Sequence, residues 1–292
     1  MLPEELIKKV RHIEITTRKI VDDMMSGQYR SHFKGHGVQF SEHRQYVPGD
    51  DIRHIDWKVS ARTREPLIKK FEEERELTVF LVVDASGSGQ FGSGEKLKSE
   101  VAAEVAGMLA YAAIHTGDKV GVLLFSGGVD HIIPPKKGRQ HILRIIREIL
   151  GHKPKTPGTD LKGALDGAYR IMKHAGVVFV ISDFLAEGYD IALKRLAHKH
   201  DLVAIQVGDE REWSVPSLGQ ICVTNPETRE EHFIDPASYS FRKWFKDFKT
   251  TFETDTQTAL RAGRIGNLRI HTKEDYGAAV VRFFRTRTKR KR

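Results

Sequence analysis

From Glu4 to Met25 the apolar positions Leu6, Val10, Ile13, Ile20 and Met24 recur at helical spacing, and the run closes at Ser26-Gly27, which predicts an amphipathic first helix. Between residues 28 and 76 that period is lost. Phe33, Phe40, Tyr46 and Trp57 are scattered among His, Arg, Asp and Gly, a pattern that predicts short strands and ordered loops. From residue 77 onward, short apolar runs alternate with amphipathic stretches. The runs 77–83, 119–125, 129–133, 177–181, 202–207, 221–223 and 268–271 read as strands. The stretches 96–115, 138–150, 160–174, 191–200, 237–262 and 278–284 read as helices. The alternation predicts an α/β fold, a doubly wound and mostly parallel sheet covered by helices on both faces with right-handed crossovers. The expected organisation is an N-terminal helix and β-rich segment (1–76), the α/β domain (77–284) and a basic disordered tail (285–292).

In an open α/β sheet the ligand site lies beyond the carboxyl ends of the strands. Asp84-Ala85-Ser86-Gly87-Ser88 follows the first apolar run of the domain, so a carboxylate and two hydroxyls are presented at such an end. Gly158-Thr159-Asp160-Leu161 stands at an expected helix start, and Ile181-Ser182-Asp183-Phe184 ends another strand. Three oxygen-bearing loops can therefore converge. Carboxylate, hydroxyl and water oxygens suit magnesium or manganese in near-octahedral geometry at roughly 2.0–2.1 Å, with calcium also possible. An ion held mainly by hydroxyls keeps net positive charge and an exchangeable water, which an acidic side chain of another molecule can replace. The competing reading, in which Ser86 and Ser88 only cap the next helix, explains one loop but not three.

A chain of 292 residues with 39% hydrophobic content builds one large or two small domains with a real core. The apolar runs fall far short of the roughly 20 residues of a bilayer span, and the N-terminus has no signal-peptide core, so the expectation is a soluble, cytoplasmic protein. The single cysteine, Cys222, excludes an intrachain disulfide framework and multi-cysteine metal sites, and it reads as a buried strand residue. The net charge of +9 is concentrated at the end: residues 285–292 hold six basic and no acidic side chains, leaving about +3 for the rest. A solvated tail is the expected role, with nucleic-acid binding as an alternative. The stretch from Gly89 to Lys96 imitates a phosphate loop but has Glu95 before the lysine and Leu97 after it, so nucleotide hydrolysis is rejected. Ser86 stands where a covalent phosphatase needs a second carboxylate. Metal-assisted phosphohydrolysis through Asp183 or Asp160 stays as an alternative without a clear base. His32, His36 and His43 near Glu42 read as ordinary histidines rather than a zinc cluster.

Gly35-x-Gly37, Phe40, Glu42, Arg44, Tyr46, Pro48-Gly49-Asp50-Asp51, Arg53, Ile55-Asp56-Trp57 and Ser60-Ala61-Arg62 together resemble domain-of-unknown-function family 58. The downstream part resembles a von Willebrand factor A domain with a metal-ion-dependent adhesion site. That motif is Asp-x-Ser-x-Ser, then Gly-Thr-x-Leu, then an aspartate after a later strand. The resemblance implies metal ligation by Ser86, Ser88 and Thr159, with Asp84 and Asp183 acting directly or through water. It further implies a non-catalytic, metal-dependent protein-binding adaptor, partnered by a MoxR-type AAA+ ATPase beside whose genes the family's genes commonly lie, in the assembly or activation of other proteins. Phe184 departs from the glycine that many relatives carry there. The residues from Asp50 to Arg62 read as a buried ion-pair network, with Arg53 and Arg62 also able to bind a partner carboxylate or phosphate.

Overall fold

The computed structural model describes residues 3–25, 38–73, 77–216, 219–228 and 230–290. The chain divides into two compact units, one formed by Met1–Tyr29 with Thr78–Arg292 and the other by Arg30–Leu77. Helix α1 (Pro3–Met25) thus groups with the sheet-bearing unit, and the boundary expected at residue 76 shifts accordingly.

In the smaller unit, β1 (Val38–Gln45) and β2 (Leu67–Glu73) pair antiparallel with Gln45 opposite Leu67 and a bulge between Phe40 and Glu42. Between them lies α2 (Trp57–Thr63), a helix the sequence reading did not anticipate. Seven residues are too few for an apolar period to show. What starts it is Asp56, whose side chain accepts from Val59 N at 3.2 Å, and Ser60 Oγ anchors it by accepting from Leu67 N at 2.8 Å. The ion-pair network expected to be buried here is instead exposed and local. Arg44 donates to both oxygens of Asp50 at 2.8 and 2.6 Å, and Arg53 pairs with Asp51 at 2.8 Å. His43 bonds Asp56 at 3.1 Å, while His32 and His36 lie outside the described residues.

The larger unit is built on β3 (Thr78–Asp84), β4 (Lys119–Phe125), β5 (Val129–Lys136), β6 (Val177–Ser182), β7 (Asp201–Gly208) and β10 (Gly266–His271). Their order is β10-β7-β6-β3-β4-β5, all parallel except β5, which runs antiparallel to β4 at one edge. The central strands are buried on both faces, so they read as unbroken apolar runs rather than alternating ones. On one face α5 (Leu161–Ile171), α6 (Asp190–Lys199) and the end of α7 (Tyr239–Ala262) pack onto Phe80, Val82, Val178 and Val180. The other face holds α3 (Lys98–His115), whose residues are buried nearly all round. A helix apolar on every side needs cover on every side. Helices α1, α4 (Arg139–Gly151) and α8 (Tyr276–Arg290) supply it. Gly107 of α3 leaves room for Ile13 and Ile146, and Ile20 of α1 lies against Gly277 of α8. Glu14 of α1 binds Tyr111 Oη at 2.9 Å and pairs with Arg139, which holds its carboxyl below the usual range.

Three further expectations are corrected. The run 221–223 is not a strand of the main sheet. It belongs to β8 (Ile221–Thr224), which forms a separate antiparallel hairpin with β9 (Glu231–Ile234). Cys222 on that hairpin is exposed, not buried, because a two-stranded ribbon outside the sheet has no second layer over it. The basic tail is helical through Arg290 as the continuation of α8, and residues 291–292 lie outside the described residues. Among the described residues no helix is long and apolar enough to cross a membrane.

Candidate metal centre

Strand β3 has β4 on one side and β6 on the other, so the carboxyl ends of β3 and β6 flank the point where the strand order reverses. Asp84 ends β3 and Asp183 follows β6. The β3 loop turns sharply because Asp84 Oδ1 accepts from Ser86 N at 3.0 Å, and Asp84 Oδ2 accepts from Ser182 Oγ at 2.6 Å. Ser88 Oγ donates to Asp183 Oδ2 at 2.8 Å, and the hydroxyls of Ser86 and Ser88 are 3.1 Å apart. Four of the five residues expected to act together, Asp84, Ser86, Ser88 and Asp183, thus form one hydrogen-bonded cluster. A small cavity of about 20 Å³, room for a single water or ion, is lined by Asp84, Ser88, Lys98 and Asp183.

Thr159 is half-buried on the loop before α5. Its position is fixed by neighbours on both sides: Asp160 caps α5 by accepting from Gly163 N at 2.8 Å, while Asp160 N donates to Ser126 O at 2.7 Å. Ser126 is held in turn, its hydroxyl donating to Asp130 Oδ2 at 2.7 Å, an oxygen that also bonds His152 Nε2 at 2.8 Å. Gly158 takes a φ of +94°, which a side chain would strain.

Phe184, where the motif more often has glycine, adopts φ +63°. A non-glycine residue there costs roughly 1–2 kcal/mol. Complete burial against Tyr189, ring centroids 5.9 Å apart, offsets that cost.

Three residues at this rim escaped the sequence reading. Lys98, 3% exposed, donates to Asp183 Oδ2 at 2.8 Å and pairs with Glu212. Burial works against its charge, but the two carboxylates outweigh that and hold it above the ordinary lysine range. Glu227, at the turn of the β8–β9 hairpin, accepts from Ser88 N at 3.1 Å and from Gly158 N at 2.8 Å. A Gly-rich run before Lys98 was visible, but nothing local marks residues 212 or 227 as neighbours of residues more than sixty positions away. Lys96, the lysine of the imitation phosphate loop, is engaged by Glu104 at 2.7 Å. Arg53 and Arg62, offered as partner-binding residues, both lie in the smaller unit, Arg53 bound to Asp51 and Arg62 exposed on α2.

The donor set fits a hard divalent ion. Two ligands cis in an octahedron at roughly 2.1 Å from the metal stand about 3 Å apart, as the Ser86 and Ser88 hydroxyls do. A hydroxyl whose proton goes to a carboxylate, as that of Ser88 goes to Asp183, turns its lone pairs outward. Burial, with the charge of Asp183 beside it, pushes the Asp84 carboxyl up to about 6, and a cation is what relieves both effects. Among the described residues no group of three or more His, Cys, Asp and Glu could hold a metal, so hydroxyls would have to carry the coordination.

The family described as "Protein of unknown function DUF58" matches residues 42–255. The uncharacterized protein Rv1480 of Mycobacterium tuberculosis is 31% identical over 289 residues, covering 97% of this chain and 90% of its own length. YeaD of Bacillus subtilis is 29% identical over 128 residues, 44% of this chain and 30% of its own. Among solved structures, an aerotolerance-related membrane protein from Bacteroides fragilis superposes with a TM-score of 0.51 at 16% identity, over 72% of this chain and 99% of that one. The chain belongs to the DUF58 family, and its larger unit is an α/β fold with a mostly parallel sheet flanked by helices.

Proposed function

We propose that this DUF58 member is a non-catalytic adaptor that binds magnesium or manganese, with calcium as the larger alternative, at the β3/β6 rim and through it an acidic side chain of another protein. The observation that carries the reading is the single cluster formed by Asp84, Ser86, Ser88 and Asp183 at the reversal point of the sheet. Ser86 and Ser88 would ligate the ion directly, with Thr159 the further hydroxyl ligand. Asp84 and Asp183, whose oxygens already accept from Ser182, Ser86 N, Ser88 and Lys98, would act largely through water. Bound there, the ion supplies a positively charged position open to an outside carboxylate.

Asp183 accepts from Ser88 Oγ, Lys98 Nζ and Leu185 N, which favours binding over hydrolysis because it is not left free to serve as a base. The partner reading extends to a MoxR-type AAA+ ATPase and rests on the family resemblance. Calorimetric titration with magnesium and manganese tests it: saturable binding in the wild type, absent in Asp84→Ala, and chelator-sensitive capture of the ATPase are expected. Binding of the ATPase that persists in chelator overturns the metal-dependent mechanism.

A further inference from the structure

The carboxylate of Glu227 bridges the two backbone amides that border the rim. Its Oε1 accepts from Ser88 N at 3.1 Å and its Oε2 from Gly158 N at 2.8 Å, so one side chain clasps the Asp84–Ser88 loop and the Gly158–Thr159 loop together. The hairpin that carries it is built for the purpose. Asn225 Oδ1 accepts from Glu227 N at 2.9 Å and from Thr228 N at 3.3 Å, closing an Asx turn that projects the glutamate from the tip. The approach is close enough that a Cβ on Gly87, between the two serines, would come within 2.4 Å of Pro226 O. Among the described residues β8 and β9, four residues each, pair with one another alone, and Phe233 is 76% exposed. A two-stranded ribbon of that size is marginal by itself.

We propose that Glu227 is an intramolecular competitor for a second acidic side chain of the partner, beside the one bound through the ion: it occupies the amides of Ser88 and Gly158 until that second carboxylate displaces it and the β8–β9 hairpin lifts away. The inference rests on the adaptor reading above and adds the chain's own competitor to it. Its recognition chemistry is a carboxylate on two converging N–H donors, the same that a partner's Asp or Glu would use. A binding-competent form populated about one tenth of the time weakens apparent affinity about tenfold.

The test compares the wild type with Glu227→Ala and Glu227→Asp, whose shorter side chain cannot span both amides. The probe is a fluorescent hexaglutamate peptide in manganese, with manganese affinity measured separately by calorimetry and amide exchange at Ser88 and Gly158 followed by NMR. Expected are peptide binding about tenfold tighter in Glu227→Ala, an intermediate gain in Glu227→Asp, manganese affinity changed less than about threefold, and faster exchange of both amides that the peptide slows again. Peptide binding that is unchanged or weakened in both variants overturns the proposal, since a clasp that only supports the loops predicts loss on its removal. If the wild type and both variants bind no manganese, the adaptor reading itself fails, whatever Glu227 does to the amides.

Discussion

Asp84 and Asp209 sit at the same end of the same sheet, one closing β3 and the other following β7, and their surroundings drive them in opposite directions. Asp209 is fully buried, which alone would raise its pKa. It accepts from Ser93 N at 2.9 Å, Ser93 Oγ at 2.6 Å, Arg211 N at 2.9 Å and Thr272 Oγ1, and these bonds hold it far below the ordinary carboxylate range. Asp84 accepts from Ser86 and from Ser182 Oγ and faces Asp183, so burial and repulsion win and it rises to about 6. The difference separates structure from function at a strand end. A carboxylate whose lone pairs are all used is a staple between loops. On the proposed reading, one with fewer bonds and a like charge beside it is where a cation would bind.

Four experiments press on that contrast. The largest effect is expected from Asp209→Ala, which strands two amides and two hydroxyls and should lower unfolding free energy by about 3 kcal/mol or more while leaving manganese binding in the surviving fold intact. Urea denaturation and calorimetry measure the two quantities. Asp84→Asn should do the reverse, abolishing manganese binding yet keeping or raising stability in chelator by about 1 kcal/mol, because a repelled buried charge is gone. A strongly destabilised Asp84→Asn would show that Asp84 is a staple as well.

The third experiment uses pH. Asp84 binds its proton more tightly folded than unfolded, so its contribution to metal-free stability falls as pH rises from about 4 to about 6. Asp209 does the opposite, its contribution present above the unfolded value near 4 and lost as pH falls toward its depressed folded value. Thermal melts in chelator across acid pH should show the first slope vanish in Asp84→Asn and the second in Asp209→Asn. Protons and metal should compete at Asp84, weakening manganese affinity below pH 6. The narrowest change, a loss of about 1–2 kcal/mol with manganese binding untouched, is expected for Thr272→Val, which removes one of the bonds to Asp209; urea midpoints read it.

The sequence made the proposed cation site legible and hid the staple. Asp84, Ser86 and Ser88 are two residues apart, and Thr159 and Asp183 each sit in a recognisable loop, so local spacing announces them. Asp209 and Ser93 are joined only by the fold, and the same holds for Lys98 with Glu212 and for Glu227 with Ser88. The alternating sheet was legible because strands buried on both faces leave long apolar runs. The β8–β9 hairpin and α2 were not, since four-residue strands and a two-turn helix held by one cap leave no period to read. Lys96 is engaged by Glu104, and the lysine that reaches Asp183 at the rim is two residues further on.

Helix α1 precedes the smaller unit in the chain yet packs on α3 with the larger one, which makes the sheet-bearing domain discontinuous and the smaller unit an insertion. Limited proteolysis within residues 30–77 should therefore cut the backbone without separating the pieces. The N-terminal fragment would stay on the sheet as a noncovalent subunit, lost only when the domain unfolds, and a tag on it would copurify with the remainder.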